Sequence, residues 1–123
     1  MFQLQKSYTR QQIHDLVRGS LESYLPHVGG QVVCACLRTD TNPDAPNIVL
    51  PGTGKDIEHA AEMLASQREP VPTFLRESPN RWDYVGMFRV DHVSRDPAEI
   101  RKHAERSGRD DITMVIHMAA GGM

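Results

Sequence analysis

The sequence predicts an α+β domain: a strongly curved sheet or β-barrel with about three flanking helices. Three observations lead there. Segments with helical and strand periodicity follow the order helix, strands, helix, strands, helix, strand. Strands outnumber helices and are not paired with them one to one, which argues against a parallel doubly wound sheet. The segment Trp82 to Val93 alternates with period two, as a strand with one buried face does. With 123 residues, 39% hydrophobic and 24% charged, the chain has the size and composition of one globular domain with its own core. A single domain over residues 1–123 is expected, with residues 1–26 as an N-terminal helical segment packed on the barrel.

Each element has a local signal. Thr9-Arg10-Gln11-Gln12 has the form of a capping box, Thr9 taking an early amide and Gln12 reaching back. Ile13, Leu16 and Val17 then recur at helical spacing, and Gly19 is the stop. Gly29-Gly30 makes a turn, and Gln31 to Leu37 reads as one buried strand rich in β-formers. The loop from Thr39 to Pro46 is stiffened by two X-Pro steps, Asn42-Pro43 and Ala45-Pro46, which hold the preceding residue extended. Asn47 to Leu50 is a short strand that Pro51-Gly52-Thr53-Gly54 breaks. Asp56 to Arg68 is a helix with Ile57, Ala60, Ala61 and Leu64 on one face. Val71 to Arg76 is a strand whose prolines, Pro70 and Pro72, suit its edge or start. In the next strand Trp82, Tyr84, Gly86, Phe88 and Val90 fall on one face, against Asp83, Met87, Arg89 and Asp91. Asp96-Pro97-Ala98-Glu99 opens the last helix with an N-cap, a first-turn proline and a capping carboxylate. Gly108 closes it, and Ile112 to Met118 is the final strand.

Several function classes are set aside by composition. No apolar run approaches the roughly 18 residues of a membrane span, and the N-terminus lacks the apolar core of a signal peptide. The only cysteines, Cys34 and Cys36, are too close along a strand for an unstrained bridge and fit a reducing compartment. A cytoplasmic protein with no membrane contact is expected. The formal net charge is −2, so any affinity for DNA must come from a local patch or pocket rather than from bulk electrostatics.

No catalytic constellation is visible, and no catalytic residue, metal ligand or cofactor is assigned. His-Glu-x-x-His, Cys-x-x-Cys and Gly-x-Ser-x-Gly patterns are missing from the sequence. A His27, Cys34, Cys36 ligand set can be drawn, but nothing in the spacing demands it. Asp110-Asp111 sits at a helix-to-strand joint, where solvated charge is normal. Gly52-Thr53-Gly54-Lys55 is not a phosphate loop of the Walker type, because Asp56 stands where a Ser or Thr is needed. It is a glycine turn before a helix, offering bare amides to an anion, or simply a turn.

Three of these pieces occur in a telling order: Gly52-Thr53-Gly54-Lys55-Asp56 before a helix, then Pro70-Val71-Pro72-Thr73-Phe74-Leu75-Arg76, then Trp82-Asp83-Tyr84-Val85-Gly86-Met87-Phe88-Arg89-Val90. Over residues 27 to 93 the chain resembles the SET- and RING-associated (SRA, or YDG) domain, a PUA-like barrel. It also resembles PUA-like modules attached to HNH nucleases of modification-dependent restriction systems. The resemblance implies an SRA-like barrel that flips 5-methylcytosine, or a related base, into a pocket built from the strand before the glycine turn and the loop preceding it. Gly52, Thr53 and Gly54 match the family's turn, and Gly86 matches the glycine of its signature strand. Asp44 takes the place of the carboxylate that accepts from cytosine N4. Leu50 and Pro51 stand where the family has a stacking Tyr, and Val85 where it has an acid.

The expected function is non-catalytic recognition of a modified base in double-stranded DNA, with a nuclease domain or subunit as partner. The base pocket is expected at Cys36, Asp44, Asn47, Leu50, Pro51, Gly52, Thr53 and Tyr84, and phosphate contacts at Arg38, Gly54, Lys55, Arg76 and Arg81. The alternative is a PUA-like module that binds RNA or a small ligand, or a protein adaptor. An adaptor would expose an apolar patch above roughly 400 Å²; a reader needs a hollow beside the glycine turn.

Overall fold

The computed structural model describes residues 2–121. Its elements are β1 (Ser7–Tyr8), α1 (Arg10–Val17), β2 (His27–Val28), β3 (Gln31–Val32), β4 (Ala35–Leu37), β5 (Ile48–Val49), α2 (Lys55–Ser66), β6 (Val71–Ser78), β7 (Arg81–Ser94), α3 (Pro97–Ser107) and β8 (Val115–Ala120). The helices start where the caps lie. Thr9 Oγ1 accepts from the Gln12 amide at 3.1 Å while Gln12 Oε1 accepts from the Thr9 amide at 2.9 Å, a closed capping box. Asp96 caps α3 by accepting from the Ala98 amide at 3.1 Å.

The architecture is α+β, with a mixed sheet in the order β4-β6-β7-β8-β5. Only the β4–β6 pair is parallel; the other pairs along the path are antiparallel. Strand β1 joins the same edge of β7 as β8, opposite Trp82 and Asp83. Strands β2 and β3 form a separate hairpin around Gly29-Gly30.

Side-chain alternation sorts the core into two faces. On one, Ala35 and Leu37 of β4, Val49 of β5, Val71, Phe88, Ile116 and Met118 pack with Ala60, Ala61 and Leu64 of α2. Strands β4 and β5 are the two ends of the sheet, yet they share this cluster, so the sheet curls around α2. On the outer face Cys34, Cys36, Phe74, Trp82 and Tyr84 pack with Tyr8 and Ile13 of the N-terminal segment. Further along that face, Leu50, Ile112 and Val115 pack with Ile100 and Ala104 of α3. Truncating the fully buried Leu64 to alanine would cost about 2–5 kcal/mol, since it removes the side chain that plugs the concave face.

Three sequence expectations need correction. Gln31 to Leu37 is two short strands, not one: the Val33 amide donates to the Pro26 carbonyl and the Cys36 amide to the Tyr24 carbonyl, both at 2.8 Å. A neighbouring loop thus takes part of the expected ladder. The alternation of β7 breaks in the middle. Thr73 pairs with Gly86 and Phe74 with Tyr84, leaving Val85 as a bulge, and Gly86 adopts φ +121°, a backbone state that side chains disfavour. Trp82 and Tyr84 therefore face outward while Phe88 and Val90 face α2. Ile57 is 41% exposed at the start of α2 rather than part of the core.

A closed barrel is not formed by the described residues: β4 and β5 are not paired with each other. The space between these two margins is where the candidate site lies.

Candidate functional site at the seam of the sheet

The chain crosses from β4 to β5 by a loop whose only buried polar side chain is Asn42. Asn42 Oδ1 accepts from the Leu50 amide at 2.8 Å, and its Nδ2 donates to the Arg38 carbonyl at 3.2 Å and to Thr41 Oγ1 at 3.1 Å. One side chain thus ties the exit of β4 to the exit of β5. Arg109, just beyond α3, reinforces the tie. Its Nη1 donates to the Thr41 carbonyl at 2.8 Å and the Leu50 carbonyl at 2.9 Å, and its Nε to Asp111 Oδ1 at 2.9 Å. The next turn is held by the Thr113 amide, which donates to the Pro51 carbonyl at 2.9 Å. Any side chain at Gly52 would displace the Arg109–Asp111 pair. A Cβ would meet Asp111 Oδ2 inside the 3.0 Å that Cβ atoms essentially never breach, and would lie 3.1 Å from Arg109 Nη2.

Beside this clasp is an open cavity of about 800 Å³. Arg38, Thr41 and Asn42 form one wall, and Leu50 and Gly52 with Arg109 and Asp111 the next. Ser20, Ser23, Tyr24 and His27 face them from the segment after α1, and Asp56, Ile57 and His59 from the first turns of α2. Cys36, Arg10 and Glu22 complete the lining.

Several polar groups around it are held by fixed partners. Arg10 Nη2 donates to the Ser20 and Ser23 carbonyls at 2.9 and 2.8 Å, and its guanidinium lies 5.3 Å from the Trp82 ring centre. Its Nε is buried with no hydrogen-bond partner among the described residues. Tyr24 donates its hydroxyl to the Ile57 carbonyl at 2.7 Å, and burial pushes its phenol above the ordinary value. Cys34 and Cys36 are free thiols with Sγ atoms 3.4 Å apart. The hydrogen bond between them lowers the Cys36 thiol, with help from the Arg10 charge, and together with burial raises the Cys34 thiol. The Arg109 guanidinium holds the Asp111 carboxyl below the usual range. Arg38 is paired with Asp40 through two hydrogen bonds at 3.0 and 2.5 Å.

Of the residues expected at a site, Cys36, Arg38, Leu50 and Gly52 line this cavity, and Pro51 is buried within the same turn. The others lie elsewhere. Asp44 is turned away and gripped by Arg106 of α3 at 2.8–3.0 Å, so it is not placed to read a base in this cavity. Asn47 is exposed, and its carbonyl accepts from the Met118 amide at 2.7 Å in the β5–β8 pairing. Tyr84 packs in an aromatic cluster with Phe2 and Phe74, ring centres 5.5 and 5.3 Å away. Thr53 and Lys55 are exposed past the turn and outside the lining. The Gly54 amide is already used, donating to Glu58 Oε2 at 3.0 Å, so the helix's own carboxylate occupies the expected anion cradle. Arg81 donates to Ser7 Oγ at 2.9 Å beside β1, and Arg76 sits opposite Trp82 on β6; neither reaches the cavity.

Sequence reasoning missed Arg10, Tyr24, Asn42, Arg109 and Asp111 as lining residues. Asn42 was visible only as the residue before a proline, and Asp111 only as solvated charge. Among the described residues no group of three or more His, Cys, Asp or Glu side chains is arranged to hold a metal ion, and no helix is long and apolar enough to cross a membrane. Comparison of the chain with family models, curated proteins and solved structures gives no significant match.

Proposed function

We propose that this chain is a non-catalytic reader of modified DNA that captures a flipped base in the seam cavity. The observation that carries the reading is position: the hollow lies between the loop before β5 and the Leu50-Pro51-Gly52 turn, where the resemblance to SRA domains puts the base pocket. Its chemistry suits a base edge. Beside Gly52 stand one donor and one acceptor that the fold leaves free, Arg109 Nη2 and Asp111 Oδ2. A carboxylate accepts from the cytosine exocyclic amine and a guanidinium donates to its ring acceptors. The reading role assigned by sequence to Asp44 therefore passes to Asp111. Arg10, and Arg38 once its weak exposed pair with Asp40 opens, are the cations at the cavity for flanking phosphates, and with a net charge of −2 such local contacts must supply the affinity. A nuclease acting from another domain or subunit is the natural partner for a module of this kind.

Taking a base out of the stack costs a few kcal/mol, least for a damaged or mismatched pair, and pocket contacts must recover it. The test is a titration with duplexes that differ at a single cytosine, unmodified or modified. Preference for modified duplexes, reduced by about 1–3 kcal/mol in Asp111→Asn, is expected. Equal affinity for all duplexes removes the proposal.

A further inference from the structure

Resting on that reading, we infer that the base captured here carries a bulky, uncharged, hydroxyl-rich group, a hexose joined through a 5-hydroxymethyl arm, rather than a methyl group. Size comes first. At ~30 Å³ per water, 800 Å³ equals the space of about 27 waters, and it lies near the top of the ~300–1,000 Å³ range of sites that enclose drug-sized ligands. A methylated cytosine has only about nine non-hydrogen atoms, so it would leave most of the hollow to solvent.

Charge comes second. Three cations, Arg10, Arg38 and Arg109, line the cavity, and three carboxylates, Glu22, Asp56 and Asp111, oppose them. Two of the arginines are already matched, Arg38 by Asp40 and Arg109 by Asp111. Asp56 and Glu22 have no ion-pair partner among the described residues. An anionic substituent would meet those two carboxylates and be repelled.

The third argument is the kind of group brought by the segment after α1 and the first turns of α2. Ser20 and Ser23 bring hydroxyls, and Asp56 and Glu22 acceptors with several free lone pairs. His27 and His59 bring two imidazoles, their ring centres 6.3 Å apart. A carboxylate accepts from neighbouring hydroxyls of one sugar, and a fixed aromatic ring covers its C–H face; Tyr24 is fixed by its bond to the Ile57 carbonyl. A methyl group would leave these groups to water and gain nothing from them. The base thus occupies the Gly52, Arg109, Asp111 end, and the substituent the Tyr24, Asp56 end.

Four duplexes, identical except for one central cytosine that is plain, 5-methyl, 5-hydroxymethyl or glucosylated 5-hydroxymethyl, separate this inference from the reading beneath it. Measured by fluorescence anisotropy with the full chain, the glucosylated duplex is expected to bind at least about tenfold tighter than the hydroxymethyl one. Asp56→Asn, a change at an exposed first-turn position, should cut that ratio to about threefold or less. Methyl or hydroxymethyl duplexes bound as tightly as the glucosylated one, but tighter than plain, overturn the inference and leave the reading intact. All four bound alike overturn both. A glucosylated preference that Asp56→Asn leaves at its full ratio overturns the placement of the sugar.

Discussion

Replacing Arg109 by alanine removes three hydrogen bonds at once, and the outcome follows from where their acceptors lie. The guanidinium is only 16% exposed and bridges the Thr41 carbonyl, the buried Leu50 carbonyl and the Asp111 carboxylate. Water can re-enter at Asp111, which is 43% exposed, so that loss is largely repaired. The two carbonyls are poorly reached, and a buried acceptor left without a partner costs about 1–3 kcal/mol. Arg109→Ala should therefore lower stability by about 2–4 kcal/mol, a fall in Tm of roughly 8–16 °C for a domain of this size. Arg109→Lys keeps the charge but cannot present a planar fork to three acceptors, and should recover less than half of the loss. Thermal unfolding by circular dichroism at pH 7 measures both. A pH series adds a second handle. Arg109 holds the Asp111 carboxyl below its unfolded value, so this pair stabilises the fold above about pH 4 and stops doing so as pH falls through the lowered folded value. The gap between wild type and Arg109→Ala should narrow on acidification. A Tm within about 2 °C of wild type at pH 7 would refute the claim that this side chain holds the seam.

Other substitutions probe the same logic. Asn42→Ala leaves the buried Leu50 amide without its partner, while the Arg38 carbonyl keeps the backbone amide of residue 42, and should cost about 1–3 kcal/mol by chemical denaturation; a loss under about 0.5 kcal/mol contradicts its role as the tie. Gly52→Ala forces the Arg109–Asp111 pair aside and should destabilise by about 1–3 kcal/mol; an unchanged midpoint of unfolding is the contrary result. Asp44→Ala should leave the preference among modified duplexes as it is, because this carboxylate faces Arg106; loss of preference would restore it to the pocket. Asp44, Asp91, Glu99 and Asp111 are all held below the ordinary carboxyl range, by Arg106, His92, His117 and Arg109 in turn. The unfolded chain then binds more protons than the folded one on acidification. Tm should be level above about pH 5 and fall progressively below about pH 4; a flat profile down to pH 2.5 is the opposite outcome.

What could be read in advance was what is decided within a few residues. The Thr9–Gln12 box and the Asp96 cap start their helices as expected, because both partners lie within three positions along the chain. The order of elements followed from the same local signals. The split of Gln31 to Leu37 did not, since it depends on Tyr24 and Pro26 offering carbonyls from another segment. The bulge at Val85 is a property of pairing with β6, invisible in an alternation that looks unbroken along β7 itself. At the site, the residues adjoining the glycine turn were legible through a resemblance in that stretch. Arg109 and Arg10 come from 57 positions after and 42 before Gly52, and nothing in their immediate sequence announces a shared wall.

The two margins of the sheet meet through side chains instead of through a ladder of strand bonds. Parting them means giving up the contacts of Asn42 and Arg109, at about 0.5–1.5 kcal/mol net for each, and uncovering the part of the shared cluster that Leu37 and Val49 close, but no strand need peel from its neighbour. The molecule therefore has a soft line in an otherwise stiff shell. Local opening along it would cost less than global unfolding and would leave the strands that are paired around α2 in place.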